Sequence, residues 1–290
     1  MAQTQQDLLP SSPPQGISWW RVFLTGLAFY IAALLALIIS ANPNLFPTVV
    51  MVGNFLVPIT YVTFFYQHRH LSRLSVGTTI RGFIYGGLLG VIAASLLEPL
   101  FVRQLDFATA FVIGLIEEFV KILGILVIVR NHKHNSEIDG IILGAAAGMG
   151  FAALESNGYA FSAFLRSGGS LSLTVGVTML RGILSPIGHG VWTAILTGVL
   201  FRESEPGQFQ LTFRVIDTYL TVSILHGLWD GFPGLINFIF GPGLDIFLAQ
   251  LFVGVVGLSI LWLRWREAIR LQKEALLEEI QDEIPIQEQF

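Results

Sequence analysis

Residues 107–129 read FATAFVIGLIEEFVKILGILVIV. Apart from Glu117, Glu118 and Lys121 the run is uncharged and mostly apolar, and it has the ~20 residues a transmembrane helix needs. A charged side chain at the centre of such a helix costs about 2.5–3.5 kcal/mol on insertion scales. The pattern recurs downstream. Glu155, His189, and the pair His226 and Asp230 each interrupt a later apolar run. Seven such groups are too costly to be accidents of composition. They must face a shared polar interior inside a helical bundle.

Composition agrees. The chain has 290 residues, 53% hydrophobic and 12% charged, whereas soluble domains carry about 25% charged residues. It therefore reads as an integral membrane protein in contact with the lipid bilayer. The net charge of −4 reflects an acidic tail after Glu274. No basic surface suited to nucleic acid is present. With no cysteine, disulfides, thiolate nucleophiles and Cys-ligated metals are excluded.

Eight spans are expected, near 20–40, 47–66, 80–102, 107–130, 138–165, 171–201, 214–240 and 244–263. The fold class is therefore all-α, a polytopic transmembrane helix bundle. Pro186 should bend the sixth span just before His189, and Pro233 should break or bend the seventh just after Asp230. Gly241-Pro242-Gly243 marks a turn. Eight spans put Arg21, Arg69, Arg73, Arg81, Arg130, Lys133, Arg202, Arg214, Arg264, Arg266, Arg270 and Lys273 on one side. Only Arg103 and Arg166 fall on the other. By the positive-inside rule both termini are cytoplasmic. Residues 1–18, polar and without a signal-peptide pattern, read as a disordered leader. Residues 19–263 form the membrane domain. Residues 264–290 read as an amphipathic cytoplasmic helix and acidic tail, with Arg270 and Glu274 at pairing distance.

Gly140, Gly144 and Gly148 recur every four residues on the fifth span. Small residues at this spacing let helix backbones approach closely. They would hold the Glu155 helix against a neighbour, here expected to be the helix of Glu117.

Either glutamate of 117–118 can reach Lys121 on one helix, at four and three residues' separation. Being adjacent, the two point about 100° apart and cannot share a role. A buried structural ion pair is the plain alternative. Phe151 and Glu155 are four apart, as are His226 and Asp230, so Asp230 can fix the imidazole tautomer. Two or three acids, two histidines and a lysine are what water activation and proton transfer require. There is no HExxH zinc motif and no GxSxG elbow.

Together the motifs are recognisable. Glu117–Lys121 reads EExxK, Phe151–Glu155 reads FxxxE, Ser185-Pro186-Ile187-Gly188-His189 carries a histidine after a break, and His226–Asp230 reads HxxxD. In this order, each on its own span, they resemble the PrsW family of glutamic-type intramembrane proteases. Asp139-Gly140-Ile141 and Arg181 add to the likeness, which covers residues 50–240. Members often carry Asn after the second-motif Glu; here Ser156 is next, then Asn157.

The resemblance implies a membrane endopeptidase acting on membrane-anchored protein substrates such as anti-sigma-factor-like regulators, in a bacterial plasma membrane and without a cofactor or metal. It implies catalytic roles for Glu117, Glu118, Glu155, His189, His226 and Asp230, with Lys121, Phe151 and Arg181 in support. A glutamate, with Glu117 favoured, activates water, and His226 oriented by Asp230 holds the oxyanion. Three other readings stay open. They are a non-catalytic scaffold of the same clan, a proton-linked transporter, and a zinc enzyme using His189, His226 and a carboxylate.

Overall fold

The computed structural model describes residues 18–69, 71–72, 74–130, 136–205, 208–241 and 245–283. The leader before residue 18, Arg73 and Lys133 of the charge pattern, residues 242–244 of the expected turn and the last seven residues lie outside them. Among the described residues every regular element is helical.

Among the described residues ten α-helices succeed one another. They are α1 (Trp19–Ser40), α2 (Phe46–Gln67), α3 (Val76–Arg81), α4 (Gly87–Phe101), α5 (Phe107–Val129), α6 (Glu137–Arg166), α7 (Leu171–Leu184), α8 (His189–Arg202), α9 (Phe213–Phe240) and α10 (Asp245–Glu283). Two pairs make single spans. A π-turn at Gly82–Gly86 joins α3 to α4, and a 3₁₀ turn at Ser185–Ile187 joins α7 to α8. By length and composition six segments can cross a membrane: Trp19–Ser40, Pro43–Gln67, Val76–Phe101, Glu137–Arg166, Leu171–Arg202 and Leu248–Glu278. The other two expected spans are α5 and α9, 23 and 28 residues long, which carry Glu117, Glu118, Lys121 and Asp230.

The helix starts are set by local sequence. Asp106 caps α5 by accepting from Thr109 N at 2.8 Å, and Thr109 Oγ1 accepts from Asp106 N in return. Ser75, Ser136, Ser170 and Thr212 cap α3, α6, α7 and α9 in the same way, each satisfying an otherwise orphaned amide.

Pro233 sits inside α9 without ending it, and the helix runs on to Phe240; neighbouring helices can re-satisfy the freed carbonyl. Two expectations are corrected. The helix expected to begin at Arg264 is the continuation of α10, anchored by Trp265 edge-on to Phe65 and by buried Ala268. The glycines of α6 face α8, not α5. A Cβ at Gly140 would meet Thr197 O at 2.5 Å and Gly198 Cα at 2.9 Å, and Gly144 faces Thr193 and Ala194. Backbone-to-backbone packing of this kind needs residues without side chains. It makes α6 and α8 the buried centre of the bundle.

Around that centre, α5 packs on α9, α2 on α6 and α7, and α10 on α9 and α8, while α1 lies outside on α2. The π-turn brings Gly86 against Ala147 and Gly124, and Gly87 against Gly150. That presses α4 onto both α5 and α6.

One end of the bundle gathers paired charges. Glu137 at the start of α6 meets Arg264 at 2.6 Å and Arg202 at 3.5 Å. Arg202 also meets Glu267 at 3.0 Å, and Arg214 meets Glu203 at 3.1 Å. Helix ends assigned to one side from their charges thus lie together in space.

Candidate functional site

The polar residues of five helices converge on Lys121. Its ammonium donates to Glu117 Oε2 at 3.1 Å and Glu118 Oε1 at 2.8 Å, and meets His189 Nδ1 at 2.9 Å. An ammonium has three protons and no acceptor, so all its donors are used. It also sits 4.1 Å over the Phe151 ring, a cation–π contact that gives the FxxxE phenylalanine a task. Lys121 and Glu118 are fully buried, and Glu117 is nearly so.

These hydrogen bonds fix the tautomers. Because Lys121 donates to His189 Nδ1, the His189 proton is on Nε2, which lies 3.2 Å from Glu155 Oε2. Glu155 in turn accepts from Arg181 Nη2 at 2.5 Å, and Arg181 Nε donates to Ser156 Oγ at 2.9 Å. His226 Nδ1 donates to Glu118 Oε1 at 3.1 Å. Its Nε2 lies 3.5 Å from Asp230 Oδ2 and 3.6 Å from Glu117 Oε2. Glu118, rather than Asp230, therefore makes the hydrogen bond that holds the His226 ring.

Eight of the singled-out side chains thus form one chain of contacts, from Arg181 and Glu155 through His189 to Lys121, and on through the two glutamates to His226 and Asp230, with Phe151 beside it under Lys121. The local reasons are simple. Ser185-Pro186 ends α7 and Gly188 restarts the chain, so α8 begins at His189 deep in the bundle. Helical spacing puts Thr193 one turn on, and its hydroxyl donates to Glu118 Oε2 at 3.0 Å. Trp192 stacks on His226 at 4.5 Å. Asn157 points elsewhere, pairing with Asn54 at 3.1 Å.

Four residues escape the motif reading. Thr193 and Trp192 are ordinary in an apolar helix, and nothing in sequence flags them. Tyr159 lies under the Arg181 guanidinium at 4.0 Å, one turn after Glu155, so helical spacing gives a signal. Glu98 on α4 is half-buried and lies close enough to interact with Glu117. It is a carboxylate inside the apolar run 80–102, the same signal that marks Glu155.

The two adjacent glutamates are unlike. Glu118 accepts from Lys121, His226 and Thr193. Glu117 has the ammonium on one oxygen and otherwise faces His226 Nε2 and Glu98. Glu117, His189 and His226 offer three donor atoms within 4.8 Å of one another. Zinc bonds of about 2.0–2.1 Å to such ligands suit separations like the 3.6 and 3.8 Å found from Glu117 to the two imidazoles. The donor set fits a zinc-type ion in kind and spacing. Two of its atoms, Glu117 Oε2 and His189 Nδ1, are held by the Lys121 ammonium, which a dication would have to displace.

The chain is similar to known proteins. Residues 75–262 match the family described as PrsW family intramembrane metalloprotease. The chain is 27% identical over 173 residues to Protease PrsW of Halalkalibacterium halodurans, covering 58% of this chain and 75% of that one. It is 31% identical over 165 residues to Protease PrsW of Clostridioides difficile, covering 52% and 65%. No solved structure matches.

Proposed function

This chain belongs to the PrsW family, and we propose that it is an integral membrane endopeptidase that cleaves membrane-anchored proteins, using water activated by Glu117. Its setting is a bacterial plasma membrane, in keeping with the bacterial sources of both named relatives, with eight spans and both termini cytoplasmic. Regulators held by a single span, of the anti-sigma-factor kind, are the substrate class. Residues 19–263 are the protease domain, with the leader and the tail beyond them.

The observation that carries the reading is the difference between Glu117 and Glu118. With three donors spread over both its carboxylate oxygens, Glu118 serves as an anchor. Glu117 keeps capacity to accept a proton. In the mechanism a water proton passes to the Glu117 carboxylate as the water oxygen bonds to the scissile carbonyl carbon. The carbonyl becomes an oxyanion. His226, carrying a proton on Nε2 as well as Nδ1, donates to it. On collapse the C=O re-forms, the C–N bond breaks, and the proton held by Glu117 passes to the departing amine. Lys121 and Glu118 hold Glu117 and His226 in place. Arg181 and Glu155 hold His189, which fixes Lys121 from the other side. Asp230 flanks the His226 Nε2 proton.

A second reading is favoured by the three donor atoms within 4.8 Å and by the family's description. Glu117, His189 and His226 would then hold a zinc-type ion, which supplies Lewis-acid polarisation of water and carbonyl. The buried ammonium among those donors weighs against it. Elemental analysis of purified protein, together with cleavage after chelation, separates the two. Stoichiometric metal and activity lost on chelation and restored on refilling overturn the metal-free mechanism.

The main test compares new peptide N-termini in membranes with wild type and with the Glu117→Gln, Glu118→Gln double variant at matched levels. Termini near span boundaries, present with wild type alone, are expected. No difference, with the affected membrane proteins confirmed present, would move the reading to a non-catalytic scaffold of the same clan.

A further inference from the structure

At the charged end of the bundle lies a cavity that the peptidase reading leaves without a task. Its volume is about 290 Å³, and it opens between the end of α8, the first turns of α9 and the middle of α10. Sites for drug-sized ligands run from about 300 Å³ upward, so this one suits a small group. The group is polar, because six of the lining side chains are charged. They are Arg202 and Glu203 of α8, Arg214 and Asp217 of α9, and Arg264 and Glu267 of α10.

The cavity stands at the level of a bilayer face. Toward the middle of the bundle, α9 exposes Ile216, Leu220 and Ile224, and α10 exposes Val255 and Leu258. In the other direction α10 turns charged, with Arg266, Arg270 and Lys273. Trp262 marks the border. Its ring is 56% exposed, and the Arg266 guanidinium sits 4.7 Å over it. Tryptophan collects at headgroup level, where an amphipathic ring meets both phases. Phe213, on the cavity wall, is 82% exposed. One side of the cavity therefore adjoins acyl chains and the other adjoins water.

The charges around it are only partly spent on one another. Arg202 meets Glu137 and Glu267 through Nη1 alone, and Arg214 meets Glu203 through Nη1 alone. Arg264 meets Glu137 and Glu267 through its two Nη atoms, while its buried Nε has no partner among the described residues. A guanidinium carries five N–H donors, so all three arginines keep donors in hand. Asp217 is exposed and has no ion-pair partner among the described residues. Counting Glu137 behind the wall, three guanidiniums stand against four carboxylates. A ligand carrying phosphate alone would add to the acidic excess, and one carrying an ammonium alone would leave the arginine donors unused. From the cavity, its level and its charges we infer that it holds the headgroup of a phosphatidylethanolamine from the leaflet at the charged end. The phosphate oxygens accept from Arg214 and from the spare donors of Arg202 and Arg264, a match of planar guanidinium to phosphate. The primary ammonium donates to Asp217. The acyl chains follow the exposed apolar faces of α9 and α10. This binding is independent of the chemistry proposed for Glu117.

The test uses the purified full chain in detergent, with native mass spectrometry of retained lipid and thermal melts as readouts. Dioleoyl phospholipids with ethanolamine, glycerol or choline headgroups are added singly at one mole ratio. The ethanolamine lipid should be retained on the order of tenfold better than the other two. It should also raise the melting midpoint most, since a ligand of the folded state stabilises it. Asp217→Asn touches an exposed, unpaired carboxylate and should fold as wild type. It should erase the preference for ethanolamine over glycerol. Arg214→Gln should weaken retention of the ethanolamine lipid to the level of the choline lipid. Arg166→Gln, an exposed position at the far end of α6, should change nothing. A wild type that retains the glycerol or choline lipid as well as the ethanolamine lipid overturns the proposal, and so does an ethanolamine preference that survives Asp217→Asn. Free phosphoethanolamine is the last arm. If it raises the midpoint as much as the lipid does at equal concentration, the ligand is a soluble compound and the membrane assignment falls.

Discussion

At the residue scale the question is why two neighbouring buried glutamates should differ. Glu118 accepts from an ammonium, an imidazole and a hydroxyl on three different helices. Removing its charge leaves those donors short of an acceptor, and breaking a buried charge pair costs about 3–5 kcal/mol. Glu118→Gln should therefore lower the thermal midpoint in detergent clearly, with cleavage falling as the fold loosens. Glu117 has fewer partners, so Glu117→Gln should leave the midpoint near wild type. It should remove cleavage by about a hundredfold or more, the range expected of a general base. Matched thermal melts and initial rates of both variants check this. Normal cleavage by Glu117→Gln would end the proposed mechanism. Lys121→Met belongs to the same scale. It strands two carboxylates, and the double variant Lys121→Met, Glu118→Gln should melt higher than Lys121→Met alone, because one uncompensated charge has gone.

At the element scale the α6–α8 contact decides whether the site can assemble. α8 starts at His189 and α6 carries Glu155, so the spacing of these two backbones sets the His189–Glu155 contact of 3.2 Å. Gly140→Ala would drive a methyl into Thr197 O and Gly198 Cα. Both obstacles are backbone and cannot rotate away. Overpacking of this kind costs about 1–3 kcal/mol. The variant should melt lower and lose activity although it lies far along α6 from Glu155, whereas Gly158→Ala should melt like wild type. Equal melts for the two would mean that α6 and α8 are not held as described. Much of this scale is legible in the sequence. The glycine period announces a close helix contact, and Ser185-Pro186 announces the break before His189. The partner helix is not legible, because a period shows that a face is smooth and not which neighbour uses it. Nor is the choice of Glu118 over Asp230 as the His226 partner. The i,i+4 spacing permits the Asp230 contact, but only the packing of α5 on α9 brings Glu118 within 3.1 Å.

For the whole molecule, sequence and structure meet at the membrane's two faces. The charge asymmetry along the chain depends on counting spans correctly, and composition alone finds six of them. The two expected spans that it passes over, α5 and α9, carry Glu117, Glu118, Lys121, His226 and Asp230, so a hydropathy reading blind to buried polar groups loses much of the site. The level of three other helices, α6, α8 and α10, is fixed by their own ion pairs. Arg202, Arg264, Glu137 and Glu267, from three different helices, interlock at one end. That can happen only if α6 starts, α8 ends and α10 passes at the same level. If this end is cytoplasmic, the turn around Gly168 and Gly169 between α6 and α7 faces outward and the segment after α8 faces inward. The chain contains no cysteine, so single introduced thiols report cleanly. Ser172→Cys and Gln208→Cys both replace exposed residues. In intact cells a membrane-impermeant maleimide should label position 172, while position 208 should react only after permeabilisation. The reverse pattern would turn the bundle over. Labelling of both positions from outside would break the eight-span count, because it would leave α8 unable to return the chain across the membrane.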